Sequence, residues 1–379
     1  MIVVALLSLL PLAIWIGLLV VRDGFWLARD TDAGMAPSPA SWPTVVAIVP
    51  ARDEAEVVGS AVASLVAQDY PGALRIMLID DGSSDGTGGI ARRAAQGSDR
   101  LAVIEGTSPP AGWTGKLWAM RGGVAQAGEA AAYLWFTDAD IAHAPDTLRA
   151  LVARSEHDRL ALNSLMAELR CDSLAEKAMI PAFVLFFQML YPFARVNRPR
   201  ARMAAAAGGC MLVRREALDR AGGLAAIADA IIDDCAMGVA MKRQGPIRLS
   251  LTRRSVSLRP YGGWSEIVAM ISRSAYAQLD YSPLLLAGTL AGLTLMFVAP
   301  PAFAVFGQGG ARLAGASAWL AMAVCFQPML RFYRRSPLWG VALPAIGVVY
   351  GAATALSAWQ HQRGRGGMWK GRAQARMQR

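Results

Sequence analysis

The chain has 379 residues, of which 54% are hydrophobic and only 17% are charged. An ordinary soluble domain carries about 25% charged residues. The composition therefore excludes a disordered chain, a collagen and a disulfide scaffold, and it favours a protein with both membrane and soluble parts. Four cysteines without CxxC spacing and three histidines argue against a zinc site or a redox dithiol, and they favour a reducing compartment.

The formal charge of +10 is concentrated at the C-terminal end. No aspartate or glutamate follows Asp280, whereas ten lysines and arginines do. This excess of basic residues flanks apolar segments, which indicates contact with anionic lipid headgroups. A nucleic-acid binder would carry its basic surface on a folded domain, so we expect a membrane partner and no nucleic-acid partner.

Apolar segments at both ends predict membrane helices. Residues 1–21 contain no charge, end at Arg22 and lack the basic region of a cleaved signal peptide, so they predict an uncleaved N-terminal anchor. Residues 281–360 predict C-terminal membrane helices. Their apolar stretches are 283–306, 313–330 and 338–359.

The charge distribution leaves the topology of the C-terminal stretches open. The basic loop 331–337 and the basic tail 361–379 should both face the cytoplasm. Three full spans cannot place Asp280 and the tail on the same side. Either the last stretch is re-entrant, or the tail departs from the positive-inside rule.

A further apolar and aromatic stretch, 178–193, contains Pro181 and Pro192 and is too short to span a bilayer. It is either a buried core helix or an interfacial helix that dips into the leaflet near the active site.

Residues 42–280 form the predicted soluble domain, in which strand-like and helix-like runs alternate. This rhythm predicts a parallel α/β sheet with right-handed crossovers, and such sheets bind ligands beyond the carboxyl ends of their strands. The predicted strands are 44–49, 76–79, 101–104 and 133–136, and the helices between them are 55–67, 88–95 and 116–126.

Polar and acidic residues follow these strands. They are Pro50, Arg52 and Glu54 after the first strand, Asp80 and Asp81 after the second, and Asp138 and Asp140 after the fourth. Carboxylates gathered at one edge would repel each other unless a cation or hydrogen-bond donors offset their charge. The simplest solution is a divalent metal ion with a nucleotide.

Two of these pairs of residues, and Lys116 at the start of the third predicted helix, allow a specific role as well as a structural one. Asp138 and Asp140 leave a strand two residues apart and could hold Mg²⁺ or Mn²⁺, although aspartate is also common in turns. Asp80 and Asp81 could bind a base and a ribose, or could simply form a turn and a helix cap. Lys116 could neutralise a diphosphate at a helix N-terminus, or could be a solvated surface lysine.

Two features of the second half of the domain also have two readings. Gly208 and Gly209 precede a strand, where they either allow backbone to approach a ligand or make a bend. Asp233 and Asp234 begin a helix, where they either cap it or provide a general base with a raised pKa.

Together these motifs resemble the family 2 glycosyltransferases, which have a GT-A fold. The matching positions are 50–54, 80–87, 138–140, 208–214 and 233–234, in the family's order and spacing. Closer features resemble its hopene-associated subgroup, which is linked to hopanoid lipid biosynthesis. Those features lie at 112–116, 233–235, 261–264, 281–283 and 366–372.

The resemblance implies a role for each matching residue. Asp81 with Glu54 should hold the uridine of a UDP-sugar, Asp138 should contact the donor and Asp140 should bind the metal. Asp234 matches the catalytic base of a Glu-Asp pair in which Asp233 replaces the Glu. The Gln-x-x-Arg-Trp motif of processive members is missing, so we expect a non-processive enzyme whose donor-side cap comes from elsewhere, such as 369–372.

The sequence thus predicts a metal-dependent, inverting glycosyltransferase that moves a sugar from a nucleotide sugar to a lipid acceptor, such as a hopanoid. It would be a multi-pass protein of the bacterial inner (cytoplasmic) membrane, with its catalytic domain facing the cytoplasm. The alternatives are a non-catalytic membrane sensor or scaffold that binds a nucleotide sugar, and a transporter. Ionisable residues are absent from 283–306 and 338–359, which argues against transport.

Overall fold

The computed structural model describes residues 2–364, 368–369 and 372–373. The α-helices are α1 (Ile2–Val21), α2 (Val58–Val66), α3 (Thr87–Ala94), α4 (Gly115–Gln126), α5 (Thr147–His157), α6 (Leu174–Leu190), α7 (Phe193–Val196), α8 (Arg215–Arg220), α9 (Asp233–Lys242), α10 (Trp264–Ser274), α11 (Pro283–Leu293), α12 (Ala299–Phe306), α13 (Gly310–Phe332) and α14 (Leu343–Gln362). The strands are β1 (Val45–Ala51), β2 (Leu74–Asp80), β3 (Leu101–Glu105), β4 (Tyr133–Thr137), β5 (Ile141–His143), β6 (Leu162–Glu168), β7 (Cys210–Arg214), β8 (Ile247–Ser257), β9 (Met368–Trp369) and β10 (Arg372–Ala373).

The chain divides into two compact units. A helical unit comprises Met1–Arg29, Cys171–Ala194 and Tyr261–Arg379. A sheet unit comprises Asp30–Arg170 and Arg195–Pro260. Each unit is described separately below.

The sheet unit is built on an eight-stranded sheet in the order β3-β2-β1-β4-β7-β6-β8-β5. All seven residues of β1 are buried, as expected for a strand covered on both faces. On the adjacent helix α2, Val58, Val62 and Leu65 are buried in the same core. The four predicted strands and three predicted helices of the first half all form, with ends that differ by a few residues.

The predicted α/β sheet is present, but it is mixed: six of its eight strands run in one direction and two run in the opposite direction. Strands β3, β2, β1 and β4 are parallel, as are β6 and β8. However, β7 is antiparallel to both β4 and β6, and β5 is antiparallel to β8. A short apolar run such as Cys210–Arg214 has the same pattern in either direction, so its direction depends on how the chain returns to the sheet.

Strand direction decides which loops share an edge. Because β6 and β8 run in the same direction as β1, β2 and β4, all five strands end at one edge of the sheet. Strand β7 runs the opposite way and therefore begins at that edge. The residues after β1, β2, β4 and β8 and those before β7 are thereby brought to one side of the sheet unit.

A buried histidine supports this edge from within the sheet. His143 Nε2 lies 2.8 Å from Thr137 Oγ1, and His143 Nδ1 lies 2.9 Å from Ser255 Oγ. The Thr137 hydroxyl donates to the Gly209 carbonyl at 2.9 Å, so it accepts from Nε2–H of a neutral imidazole. Burial lowers the pKa of His143 to about 3. The ring therefore joins β4, β5 and β8 without carrying a charge.

The helical unit contains three helical segments that are long and apolar enough to cross a membrane. They are Pro283–Phe306, Gly310–Phe332 and Pro337–Gln362, which cover the three predicted C-terminal stretches. Close packing joins two of them: a Cβ added to Gly315 on α13 would lie 2.7 Å from the Pro300 carbonyl oxygen on α12. Small residues at such contacts allow helix backbones to approach each other.

The predicted N-terminal anchor forms helix α1, but only a shorter apolar segment, Leu6–Val21, is found there among the described residues. A span over 1–21 therefore stays a prediction. Trp15 of α1 is buried, donates from Nε1 to the Met296 carbonyl at 2.9 Å and meets Phe297 edge-on.

The stretch 178–193 lies mostly in α6, which begins at a capping box formed by Ser173 and Glu176. Phe186 of α6 packs edge-on against Phe297 and Tyr350, with ring centroids 5.4 and 4.6 Å apart. This end of α6 is thus buried among apolar helices of the helical unit. An interfacial role for it stays a prediction.

The proposed cap in the tail falls largely outside the described residues. Backbone is described there only for β9 and β10, which pair antiparallel with Arg372 opposite Trp369.

The neutral state of His143 predicts how stability depends on pH. Below about pH 6.5 the unfolded chain gains a proton on this histidine and the folded chain does not, so folding loses about 1.4 kcal/mol per pH unit. His143→Gln removes this contribution. We therefore expect its thermal midpoint, measured in detergent from pH 7.5 to 5, to fall less steeply than that of the wild type. His157→Gln is the control, because that side chain is 51% exposed. Equal slopes for wild type and His143→Gln would contradict the assignment.

Candidate active site

The loops after β1 and β2 are joined by hydrogen bonds. The backbone N–H of Glu54 donates to Thr87 Oγ1 at 2.8 Å, and the backbone N–H of Ser84 donates to Asp53 Oδ1 at 2.8 Å. Asp53 adopts a left-handed backbone conformation with φ 49°, which non-glycine residues seldom do outside functional loops. The two loops form one rigid wall at the sheet edge.

Arg52 and Asp81 meet within this wall. The Arg52 guanidinium donates to the Asp81 carbonyl oxygen, and its Nη1 lies 3.5 Å from Asp81 Oδ2. Asp81 is buried, with 3% of its surface exposed. Pro50 lies just before Arg52, inside β1, where it pairs with Ile79.

The neighbouring residue Asp80 makes a local contact. Its Oδ1 accepts from the backbone N–H of Ser83 at 2.9 Å, and its Oδ2 would lie 2.7 Å from a Cβ added to Gly88. This is the turn-forming arrangement that sequence analysis considered for Asp80.

Lys116 joins two acidic loops. It follows the N-cap Thr114 at the start of α4, and its Nζ lies 2.9 Å from Asp138 Oδ1 and 3.0 Å from Asp233 Oδ2. Burial alone would lower the pKa of Lys116, but these two carboxylates raise it above its ordinary value. Lys116 is thus a permanent cation that holds the loop after β4 to the start of α9.

Asp138, one of the two partners of this lysine, has a shifted pKa. Burial raises its pKa, Lys116 lowers it, and the carboxylates of Asp140 and Asp233 raise it again. Since 34% of its side chain is exposed, water moderates the rise. The net direction is upward, so further positive charge near Asp138 would be favourable.

Asp234 has the properties of a proton acceptor. Its Oδ2 accepts from the backbone N–H of Gly208 at 3.0 Å, and its Oδ1 accepts from the backbone N–H of Cys235 at 2.7 Å. Burial and then the charge of Asp233 raise the pKa of Asp234 to about 6. A carboxylate with a pKa near neutrality is suited to general-base catalysis.

Gly208 provides space beside both groups. A Cβ added there would lie 3.4 Å from Lys116 Nζ and 3.5 Å from Asp234 Oδ2. These are ordinary van der Waals distances, so an approach of backbone to a ligand at Gly208 stays a prediction.

A second cation, Arg259, was missed by sequence analysis. Its Nε lies 2.8 Å from Asp140 Oδ2, and its Nη2 lies 2.6 Å from Glu54 Oε1. Next to it, the backbone N–H of Leu258 donates to the Asp140 carbonyl at 2.7 Å. Arg259 lies just after β8, as Asp138 lies just after β4. Because ligands bind beyond the carboxyl ends of strands, a prediction of β8 would have identified Arg259 as a candidate.

Two clusters of charged side chains therefore lie at this edge. Lys116 holds Asp138 and Asp233 beside Asp234, while Arg259 holds Asp140 and Glu54. Asp138 and Asp140 connect the clusters through the chain. Arg52, Asp80 and Asp81 lie in the adjoining wall, where Arg52 pairs with Asp81 and Asp80 accepts from the backbone N–H of Ser83.

The donor atoms suit a hard divalent cation completed by a ligand. No group of three or more His, Cys, Asp and Glu side chains able to hold a metal occurs in the described part of the chain. Mg²⁺ and Mn²⁺ at nucleotide sites commonly use one or two carboxylates together with substrate phosphates. Asp138 and Asp140 supply carboxylates of this kind.

Comparison with known proteins agrees with this geometry. Residues 46–222 match the family model Glycosyl transferase family 2. No curated protein matched the chain.

A solved structure resembles the chain in fold over most of its length. The mannosyltransferase PcManGT from Pyrobaculum calidifontis, in complex with GDP-Man and Mn²⁺, is 20% identical with a TM-score of 0.59, covering 95% of this chain and 99% of that chain. TarS 1–349 of S. aureus, in complex with UDP-GlcNAc, is 14% identical with a TM-score of 0.42, covering 85% of this chain and 92% of that chain. Residues 46–222 therefore match a glycosyltransferase family 2 domain, and the chain shares the fold of PcManGT.

Proposed function

We propose that this protein is a membrane-bound, inverting and non-processive glycosyltransferase that moves a sugar from a UDP-sugar to a lipid acceptor. One observation carries the proposal. At the sheet edge where the parallel strands end, Lys116 pairs with Asp138 and Asp233, and Asp234 lies beside them. A lipid acceptor, such as a hopanoid, is supported by three helices long and apolar enough to cross a membrane. We place the protein in the bacterial inner membrane, with the catalytic domain facing the cytoplasm.

The donor is proposed to lie along the wall of β1 and β2. Asp81 and Glu54 would accept hydrogen bonds from the uracil imide and the ribose hydroxyls, while Pro50, Arg52 and Asp80 shape the pocket. Because Asp81 is buried and fixed beside Arg52, it can hold a base without reorganising.

The transfer step is proposed to begin at Asp234. Its carboxylate removes the proton from an acceptor hydroxyl as that oxygen attacks the anomeric carbon, and the nucleotide diphosphate departs from the opposite face, which inverts the configuration. Asp233 keeps the pKa of Asp234 raised and Gly208 N–H orients its carboxylate. Such a positioned base contributes roughly 10²–10⁴-fold to the rate.

Charge on the departing diphosphate is proposed to be offset at Lys116. This lysine is already fixed at a helix N-terminus and remains charged. Asp140 with Asp138 would hold Mg²⁺ or Mn²⁺, which supplies further positive charge to phosphate oxygens.

The proposal is tested by transfer from a panel of labelled donors. Membranes containing the chain are incubated with UDP-sugars and with GDP-mannose, the ligand of PcManGT. Mass analysis of the lipid fraction should reveal a glycosylated lipid. Tight nucleotide-sugar binding without transfer or hydrolysis would instead support the non-catalytic sensor.

Asp234→Asn should lower the transfer rate by about 10²–10⁴-fold, because asparagine cannot accept the proton. The matched control is Asp219→Asn, whose side chain on α8 is 55% exposed. Rates are measured at saturating donor, with nucleotide affinity determined separately. Undiminished turnover in Asp234→Asn would remove this residue from the mechanism.

The pH profile should report the same carboxylate. Asp234 accepts a proton only when ionised, and its pKa is about 6. The rate should therefore be constant above that pH and should fall about tenfold per pH unit well below it. Steady-state rates measured from pH 4.5 to 8 show whether the rate falls on the acidic side. A profile that stays flat down to pH 4.5 would argue against a base of raised pKa.

Lys116→Gln should weaken both the fold and the binding of the donor. Removing the lysine leaves Asp138 and Asp233 without their cation, which costs up to about 3 kcal/mol of stability. The loss of positive charge should also raise the Kd of UDP. Calorimetry and a thermal midpoint are compared with Lys177→Gln, a lysine of α6 in the helical unit. An unchanged Kd for UDP would show that Lys116 serves the fold alone.

A further inference from the structure

Arg259 contacts the carboxylate of Asp140, which the proposed function assigns to the metal ion. Its Nε donates to Asp140 Oδ2 at 2.8 Å, and its Nη2 donates to Glu54 Oε1 at 2.6 Å. One guanidinium therefore bridges two acidic side chains that come from the loops after β1 and β4.

The guanidinium of Arg259 is more accessible to solvent than the two carboxylates that it contacts. The side chains of Glu54 and Asp140 are 12% and 15% exposed, whereas that of Arg259 is 35% exposed. The carboxylates are thus held by the protein, and the guanidinium lies on the more accessible side. A partly exposed arginine can exchange one partner more readily than a buried carboxylate can move.

We propose that Arg259 is a resident counter-cation of Asp140, which an incoming divalent cation displaces. This inference rests on the proposed metal site. A divalent cation on Asp140 would place its charge close to a guanidinium that occupies the same carboxylate, and like charges at such a distance weaken each other's binding. The contact with Glu54 keeps Arg259 at the site after it leaves Asp140.

The arrangement makes metal and donor binding cooperative. Without a donor, the cation must displace Arg259 and gains two carboxylates at most. With a nucleoside diphosphate present, the displaced guanidinium can pair with a phosphate oxygen. Other phosphate oxygens then serve as ligands of the divalent cation. Each ligand should therefore strengthen the binding of the other by the same factor.

The chain offers a closely matched control for this site. Arg254, five positions earlier, also bridges two carboxylates: its Nη1 lies 3.0 Å from Asp32 Oδ2 and its Nε lies 3.1 Å from Asp146 Oδ2. It resembles Arg259 in charge, partners and geometry, but neither Asp32 nor Asp146 belongs to the proposed site. A general effect of removing a bridging arginine would appear in both variants.

The test is a titration of the full-length protein in detergent with Mn²⁺, followed by electron paramagnetic resonance of the free ion. In the absence of nucleotide, Arg259→Met should lower the Kd of Mn²⁺ by about three- to fivefold, the contribution of a partly exposed ion pair. Arg254→Met should leave this Kd unchanged. Arg259→Lys, which keeps the charge without the two-carboxylate fork, should lower the Kd by a smaller factor and carries the test if the methionine variant does not fold.

An unchanged or higher Kd in the Arg259 variants would overturn the inference, and a higher Kd would make Arg259 a support for the metal site. Either result leaves the proposed function intact. If wild type and variants bind no Mn²⁺ even with UDP, while sugar transfer continues in a chelator, the metal part of the proposed function fails as well. If wild type binds Mn²⁺ but transfers no sugar, the proposed function fails separately.

Discussion

Repulsion among the carboxylates at one sheet edge is the constraint on which the candidate site depends. Glu54, Asp138, Asp140, Asp233 and Asp234 come from three segments, namely the loops after β1 and β4 and the start of α9, and their negative charges repel one another. Lys116 and Arg259 offset this repulsion by taking two carboxylates each. Because these cations are fewer than the acids they face, the edge remains acidic and can accept a further cation.

The two cations hold their partners in different ways. Lys116 is held at the first turn of α4 and joins two rigid elements, so it acts as part of the framework. Arg259 extends from the end of β8 and is more exposed, which suits a group that changes partners. Lys116 is thus the fixed cation beside Asp138 and Asp233, and we propose that Arg259 is the exchangeable cation beside Asp140.

Burial separates the roles of the acidic residues further. Asp80 accepts a hydrogen bond from the backbone of its own turn, while Asp81 is buried against Arg52. Asp234 accepts hydrogen bonds from two backbone N–H groups, and burial and the charge of Asp233 raise its pKa to about 6. The same residue type therefore forms a turn at Asp80, pairs with an arginine at Asp81 and has a raised pKa at Asp234, according to its surroundings.

The sequence by itself determined the first half of the domain and the acidic positions of the site. Buried strands are continuous apolar runs and the turns after them are rich in aspartate and glycine, so 44–49, 76–79, 101–104 and 133–136 could be located without coordinates. The family resemblance then named Asp81, Asp138, Asp140 and Asp234 from local motifs.

Only the tertiary structure decided strand direction and the pairing of charges. An apolar run such as β7 does not encode whether it runs parallel to its neighbour, and β8 contains enough polar residues to hide its period. Arg259 lies 119 positions from Asp140 and 205 from Glu54, so no local pattern joins them. Their contact arises because β8 ends at the same edge as β1 and β4, a property of the whole sheet and not of any one segment.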